Sequence, residues 1–268
     1  MNRTSEFFRS FKNVFSALVI PVALIVSFFI FYLIMGDPAN FQGNNPENSP
    51  LPGNFLGIIY KGGIIVPILM CLLLTVITFS IERWLTLNKA AGKGSVLKFI
   101  QNIKLMLTRN HISEALLLCD KQRGSVANVV KSAMNKYEEM EKEAGMTKEQ
   151  KILAIQKEVE EATALELPSM EQNLIILATI SSIATLMGLL GTVIGMIRAF
   201  AALAHAGAPD SVALATGISE ALINTAFGIA TAALAVIFYN FYTTKIDKLL
   251  HSIDEAGFSI VQTFGQRH

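Results

Sequence analysis

The stretch NLIILATISSIATLMGLLGTVIGMIRAFAALA, residues 173–204, decides the fold. It carries one charge, Arg198, and exceeds the ~20 apolar residues a helix needs to cross a hydrocarbon core about 30 Å thick. Its polar residues are small. Thr185, Gly188, Thr192 and Gly195 step by three or four and so share one helical face, and Gly191 with Gly195 forms a GxxxG pair. Small residues let helices approach closely in a bilayer, where no hydrophobic force drives them together.

A second stretch of the same kind follows, ISEALINTAFGIATAALAVIFYNFY, residues 218–242. Glu220, Asn224, Gly228, Thr231 and Ala235 line one face of it, with Thr225 alongside. Two spans with matching small and polar faces predict a lined interior surface rather than a lipid contact. Working outward, two further spans are apolar almost throughout, residues 14–35 and 56–81, with large side chains such as Phe28, Phe29, Ile64 and Leu69. The first is too long for the h-region of a secretory signal and reads as a retained span. Composition agrees: 52% of residues are hydrophobic and 16% charged, with a mean hydropathy of +0.47. The fold class is therefore an all-α membrane protein of four transmembrane helices, with long helices extending into a cytoplasmic helical domain.

Between the spans lie an N-terminal arm (1–13), a Gly/Pro/Asn-rich loop (36–55), a charged region (82–172), a short loop (205–217) and an amphipathic tail (243–268). In the charged region Val96, Phe99, Ile100, Ile103 and Leu107 form a helical stripe with Ser95 as N-cap, and shorter stripes follow at Ile112–Cys119 and from Thr147. No alternating strand pattern appears. Lys and Arg are absent from Gly36 to Tyr60 and from His205 to Gly217, whereas the arm, the charged region and the tail are basic. The positive-inside rule then puts both termini and the charged region in the cytoplasm of an inner-membrane protein.

Several function classes are excluded. The net charge of +1 and the lack of a basic run give no footing for nucleic acid. Gly92-Lys93-Gly94-Ser95 lacks P-loop spacing, the four histidines lack metal-ligand spacing, and no catalytic grouping of Ser, His and Asp is visible. The expectation is a chain with no enzymatic activity, metal or cofactor. Cys71 and Cys119 read as buried thiols acting as small hydrophobes.

The candidate site residues keep alternatives open. Glu220, near a helix start, suits an ion path, since a charge in hydrocarbon usually faces a cavity; it equally suits an interfacial position that complements the helix dipole. Thr192 and Thr225 fit a polar lining or bonds back to their own helix carbonyls. Arg198 either snorkels to the headgroups or pairs with Glu220 or Asp210. Neither span holds a mid-membrane Asp, Lys or His, which points to a partner that supplies the proton carrier.

The motifs GLLGTVIGMIRAF (Gly188–Phe200) and GISEALINTAFGIATAALAVIFYN (Gly217–Asn240) resemble the MotA/TolQ/ExbB proton-channel family, its ExbB/TolQ branch most closely. The stretch NHISEALLLCDKQRGSVANVVKSA from Asn110, and Ile81-Glu82-Arg83 closing the preceding span, are also similar to that family. The resemblance implies a homo-oligomer, a pentamer, around an ExbD/TolR-like single-span protein with a membrane Asp. It implies conversion of proton-motive force into work on a TonB/TolA-like protein. It matches the family's pore threonines to Thr192 and Thr225 and its glutamate to Glu220; Asn224 stands where the family has a small residue and is read as a further polar contact on the proton path. Gly188, Gly191, Gly195 and Gly228 are read as helix-packing positions. The chain departs from the family at Thr185 and Leu234, where proline is usual, and in its extra first span relative to the three-span branch. ExbB-like, TolQ-like, gliding or flagellar stator, and non-conducting scaffold all remain open.

Overall fold

The computed structural model describes residues 18–204 and 210–267, and within them the chain is helical. The arm 1–13, the start of the first span and part of the loop 205–217 fall outside the described residues. The helices are α1 (Leu18–Met35), α2 (Phe55–Tyr60), α3 (Ile65–Ala91), α4 (Val96–Thr108), α5 (Ile112–Gln122), α6 (Ser125–Lys142), α7 (Lys148–Glu171), α8 (Leu174–Ala204) and α9 (Ser211–Arg267). Among the described residues the one extended pairing is an isolated bridge between Phe41 and Pro50. Among the described residues four helical stretches are long and apolar enough to span a bilayer.

Two compact units emerge. The first holds the residues up to Ile81 with Ile175–Tyr239; the second holds Glu82–Leu174 with the residues from Asn240 onward. In the first unit the second span differs from the uninterrupted helix expected over 56–81. It is two helices, α2 and α3, separated at Gly62-Gly63, where Gly63 adopts φ +74°. A left-handed residue ends an α-helix, and glycine takes that conformation without a steric penalty. Averaged hydropathy does not register such a break, because the glycines leave the run apolar.

The loop after α1 is clipped to α2. Asn40 donates to the carbonyls of Ile34 and Met35 and accepts from Asn54, whose own side chain caps α2 through Gly57 N–H. Tyr60 stacks on Phe31 and meets Phe41 edge-on, and Phe41 is almost fully buried. Lys61, one residue past the Lys-free window, donates to the carbonyls of Pro46 and Glu47, each at 2.9 Å. Lys61 belongs to the turn between α2 and α3, and its ammonium is held by the loop carbonyls.

The fourth span also starts earlier than 218. Helix α9 begins at Ser211, and the Asp210 carboxylate accepts from the N–H groups of Val212 and Ala213 at 3.0 Å. Aspartate before the first turn is a strong start signal, hidden here by small residues without apolar periodicity. From there α9 runs without interruption to Arg267, about 85 Å at the α-helical rise.

In the second unit the predicted stripes become the core. Phe99, Ile100, Ile103 and Leu107 of α4 are buried, with the Ser95 side chain as N-cap. Ala115 and Cys119 of α5 and Ile155 of α7 are buried too. From α9, Ile246, Leu249, Ile253, Ile260 and Phe264 enter the same core, Phe264 packing edge-on against Tyr137 at 5.0 Å. Thr147 and Gln150 form a reciprocal capping box that opens α7. Pro168 does not break α7; the helix ends at Glu171, and the chain turns at Asn173, φ +65°.

Cys71 and Cys119 are both buried and unpaired, as read from sequence. Burial, with the neighbouring Asp120 charge, pushes the Cys119 thiol up to about 12. At pH 8 that leaves about one thiolate in ten thousand, and the thiolate is the reactive form. Native protein is expected to leave Cys119 unlabelled by iodoacetamide at pH 8, with full labelling after denaturation. Rapid modification of Cys119 in the folded chain would contradict this burial.

Candidate functional site: the α8–α9 interface

Helices α8 and α9 run antiparallel, and their small-residue faces meet each other. A methyl group placed on Gly228 would lie 2.6 Å from the Ala184 carbonyl oxygen and 2.8 Å from Gly188 Cα. One on Gly195 would lie 2.7 Å from both Ala221 N and Gly217 O, and one on Gly217 2.7 Å from Ala199 N. These are backbone-to-backbone approaches that only glycine permits. A methyl on Gly188 would lie 3.1 Å from Asn224 O and 3.2 Å from Gly228 Cα. Gly191 has a different neighbour: a methyl there would strike the Asn224 side chain at 2.4–2.8 Å.

In this close seam the Thr192 and Thr225 hydroxyls touch. The Thr192 hydroxyl donates to the Gly188 carbonyl of its own helix at 3.2 Å. That of Thr225 crosses the interface to the same carbonyl, at 3.4 Å. By contrast, Thr179, Ser181 and Thr185 bond back to their own helix. A threonine hydroxyl both donates and accepts without carrying charge. The pair around Gly188 O therefore allows two proton arrangements, in which either hydroxyl donates to the other while the second donates to the carbonyl. Both threonines are half-buried.

Toward the start of α9, Glu220 is 4% exposed and accepts from Arg198 Nη1 through both carboxylate oxygens, at 2.7 and 2.8 Å. Of the two partners open to Arg198 in the sequence, the structure brings it to Glu220; Asp210 caps α9 instead. Asn224 is fully buried and donates to the Gly62 carbonyl at 2.8 Å. Its Oδ1 has no partner among the described residues. The face Glu220–Asn224–Gly228–Thr231–Ala235 is buried throughout, so within one chain it packs against neighbouring helices. Sequence reasoning missed Gly62 and Gly63. The signal is the Lys61-Gly62-Gly63 breaker in an apolar run, which the length of the run as a whole masks.

No group of three or more His, Cys, Asp or Glu that could hold a metal occurs among the described residues.

Comparison with known proteins meets this geometry from the other side. Residues 121–255 match the MotA/TolQ/ExbB proton channel family, a range that holds Thr192, Thr225, Glu220 and the four packing glycines. The chain is similar to the Tol-Pal system protein TolQ of Haemophilus influenzae, 39% identical over 84 residues, covering 31% of this chain and 37% of that one. It is similar to TolQ of Pseudomonas aeruginosa, 29% identical over 125 residues, covering 47% and 54%. It is also similar to the biopolymer transport protein ExbB of Salmonella typhimurium, 40% identical over 70 residues, covering 26% and 29%. The chain thus spans less than two thirds of the length of these relatives, and both branches lie at comparable identity. A channel family also agrees with the expectation of no enzymatic chemistry. With the matched range covering half the sequence and holding the threonine pair and its glycine seam, the chain belongs to the MotA/TolQ/ExbB proton channel family.

Proposed function

We propose that this chain is an ExbB-like subunit of an inner-membrane proton channel that converts proton-motive force into work on a TonB-like protein. The observation that carries the reading is the Thr192–Thr225 hydroxyl pair, joined through the Gly188 carbonyl inside a glycine seam. In this reading the pair passes protons to the membrane aspartate of an ExbD/TolR-like single-span partner held within a homo-oligomer, a pentamer. Asn224 continues the polar face toward the outer side, and Glu220 lies one turn beyond it, held by Arg198. Both termini, the region 82–172 and the tail face the cytoplasm; the loops after α1 and before α9 face the periplasm. The Lys and Arg distribution supports that orientation.

Valine is nearly isosteric with threonine, so Thr192→Val and Thr225→Val remove the hydroxyls at a stability cost of only about 0.5–1.5 kcal/mol each. Each variant is expected to assemble normally and to abolish proton uptake into vesicles that hold the chain with its partner. Wild-type uptake by both variants would sink the reading.

Two observations favour other readings. The similarity to TolQ of Haemophilus influenzae favours a TolQ-like role, distinguished by whether the co-purified partner system serves nutrient uptake or a TolA-like protein. The backbone-to-backbone glycine contacts favour a non-conducting scaffold, which would show no proton uptake in the same vesicles. A gliding or flagellar stator role would show uptake together with a stator-type partner.

A further inference from the structure

Two successive side chains of α9 grip the same glycine pair. Asn224 donates to the Gly62 carbonyl at 2.8 Å. One turn earlier, the Glu220 carboxylate lies over Gly63, so close that a methyl on Gly63 would come within 2.4 Å of Glu220 Oε1 and 3.5 Å of Arg198 Nη1. Glycine at 63 thus answers two demands, the φ of +74° and room for the ion pair.

The charges facing Glu220 are few. Arg198 is the only charged residue of α8, and none occurs from Ile65 to Ile81 or from Ala221 to Asn240. On the α2–α3 turn, Lys61 has its ammonium on the carbonyls of Pro46 and Glu47. On α9 itself, Asp210 is engaged with Val212 and Ala213. Among the described residues, then, Arg198 alone neutralises Glu220. The pair is asymmetric: the arginine side chain is 56% exposed and the glutamate 5%. Whatever approaches the pair meets the guanidinium before the carboxylate, and a cation repels an incoming hydronium ion. Asn224, the next polar residue along this face, directs its donor to a backbone carbonyl.

We propose that Arg198 is a positioning residue for Glu220: it fixes the carboxylate over the Gly62-Gly63 break as a neutralised anchor, so that Glu220 holds α9 against the broken helix and does not itself carry protons. This rests on the reading of the chain as a proton-channel subunit and narrows it, because protons must then reach the Thr192–Thr225 pair without passing through Glu220.

The test uses the full chain, with thermal unfolding in detergent as one readout and proton uptake by vesicles holding it with its partner as the other. Arg198→Gln leaves an uncompensated buried carboxylate; it is expected to lower the unfolding midpoint and cut uptake at least about tenfold. Arg198→Lys, which keeps the charge, should retain most of both. The exchange Arg198→Glu with Glu220→Arg should restore both relative to either single reversal. The deciding variant combines Arg198→Gln with Glu220→Gln, which can hydrogen bond but holds no titratable group. An anchor predicts uptake within about threefold of wild type, whereas a proton carrier predicts loss of uptake in a folded protein, which overturns the proposal. Additive midpoint changes across Arg198 and Glu220 would overturn it as well. Absence of uptake by wild type defeats the channel reading itself, while the midpoint cycle still decides whether Arg198 positions Glu220.

Discussion

Gly228→Ala is expected to separate α8 from α9 and collapse the unit they form, whereas Gly265→Ala, the same change on the same helix, is expected to be neutral or stabilising. Both glycines are helical, and in isolation alanine favours a helix by about 0.8–1.0 kcal/mol per position. The difference is what the new methyl meets. At Gly228 it meets Ala184 O at 2.6 Å, Gly188 Cα at 2.8 Å and Gly188 N at 3.2 Å, all backbone of α8. Backbone cannot rotate aside, so one helix must shift, and overpacking of this sort costs about 1–3 kcal/mol or more. At Gly265 the nearest atom is Ile152 Cδ1 at 3.3 Å, the free end of a flexible side chain, and the propensity gain prevails. Because the Thr192 and Thr225 hydroxyls touch across that seam, Gly228→Ala should also lose proton uptake while keeping both threonines. Gly228→Val should be worse and Gly195→Ala similar, since the latter meets Ala221 N and Gly217 O at 2.7 Å. Unfolding midpoints in detergent rank the series. A Gly228→Ala protein as stable as wild type would mean that α8 and α9 do not pack at this distance.

That contrast marks how far the sequence could be read. Glycines at positions 188, 191, 195 and 228 announce close packing because their spacing puts them on helical faces, and spacing is a property of the chain. The partner of each face is not. The spacing of Glu220 and Asn224 predicts a lined interior surface; within one chain the stripe is buried, Asn224 on Gly62 and Glu220 under Arg198. A face pointing to a lumen and one pointing to a neighbouring helix carry the same small and polar residues, since both must be polar-tolerant and narrow. Thr192 and Thr225 show the reverse. A transmembrane threonine ordinarily bonds back to its own helix, and Thr192 does so, but only the fold shows that the Thr225 hydroxyl crosses to α8. The break at Gly62-Gly63 escaped because hydropathy averages over a window, while a helix ends at a single φ angle.

Arg83→Met is the second change expected to be severe, and it acts far from any threonine. Arg83 is fully buried in the second unit. Its Nε donates to Glu82 Oε2 at 2.6 Å, its Nη2 to Glu82 Oε1, and its Nη1 to the Met170 carbonyl at 3.2 Å. Glu82 in turn accepts from Thr86 at 2.9 Å and Asn173 at 3.4 Å. One guanidinium therefore satisfies the adjacent carboxylate and a carbonyl in the last turn of α7, next to the left-handed turn at Asn173 that starts α8. Methionine fills the volume but leaves Glu82 without its counter-charge and the Met170 carbonyl without its donor. Removing one partner of a buried pair costs about 3–5 kcal/mol, a large share of the stability of a domain. Arg83→Lys should recover little, because a compact ammonium cannot reproduce the planar fork that reaches both oxygens of Glu82 and the carbonyl together. Glu82→Gln combined with Arg83→Met should recover more than Arg83→Lys does, since the main penalty is the stranded carboxylate and not the lost attraction. Unfolding midpoints of the full chain in detergent test this order. If Arg83→Lys restored the wild-type midpoint while the double variant did not, charge alone would explain the site, and the forked geometry at the end of α7 would have no energetic role.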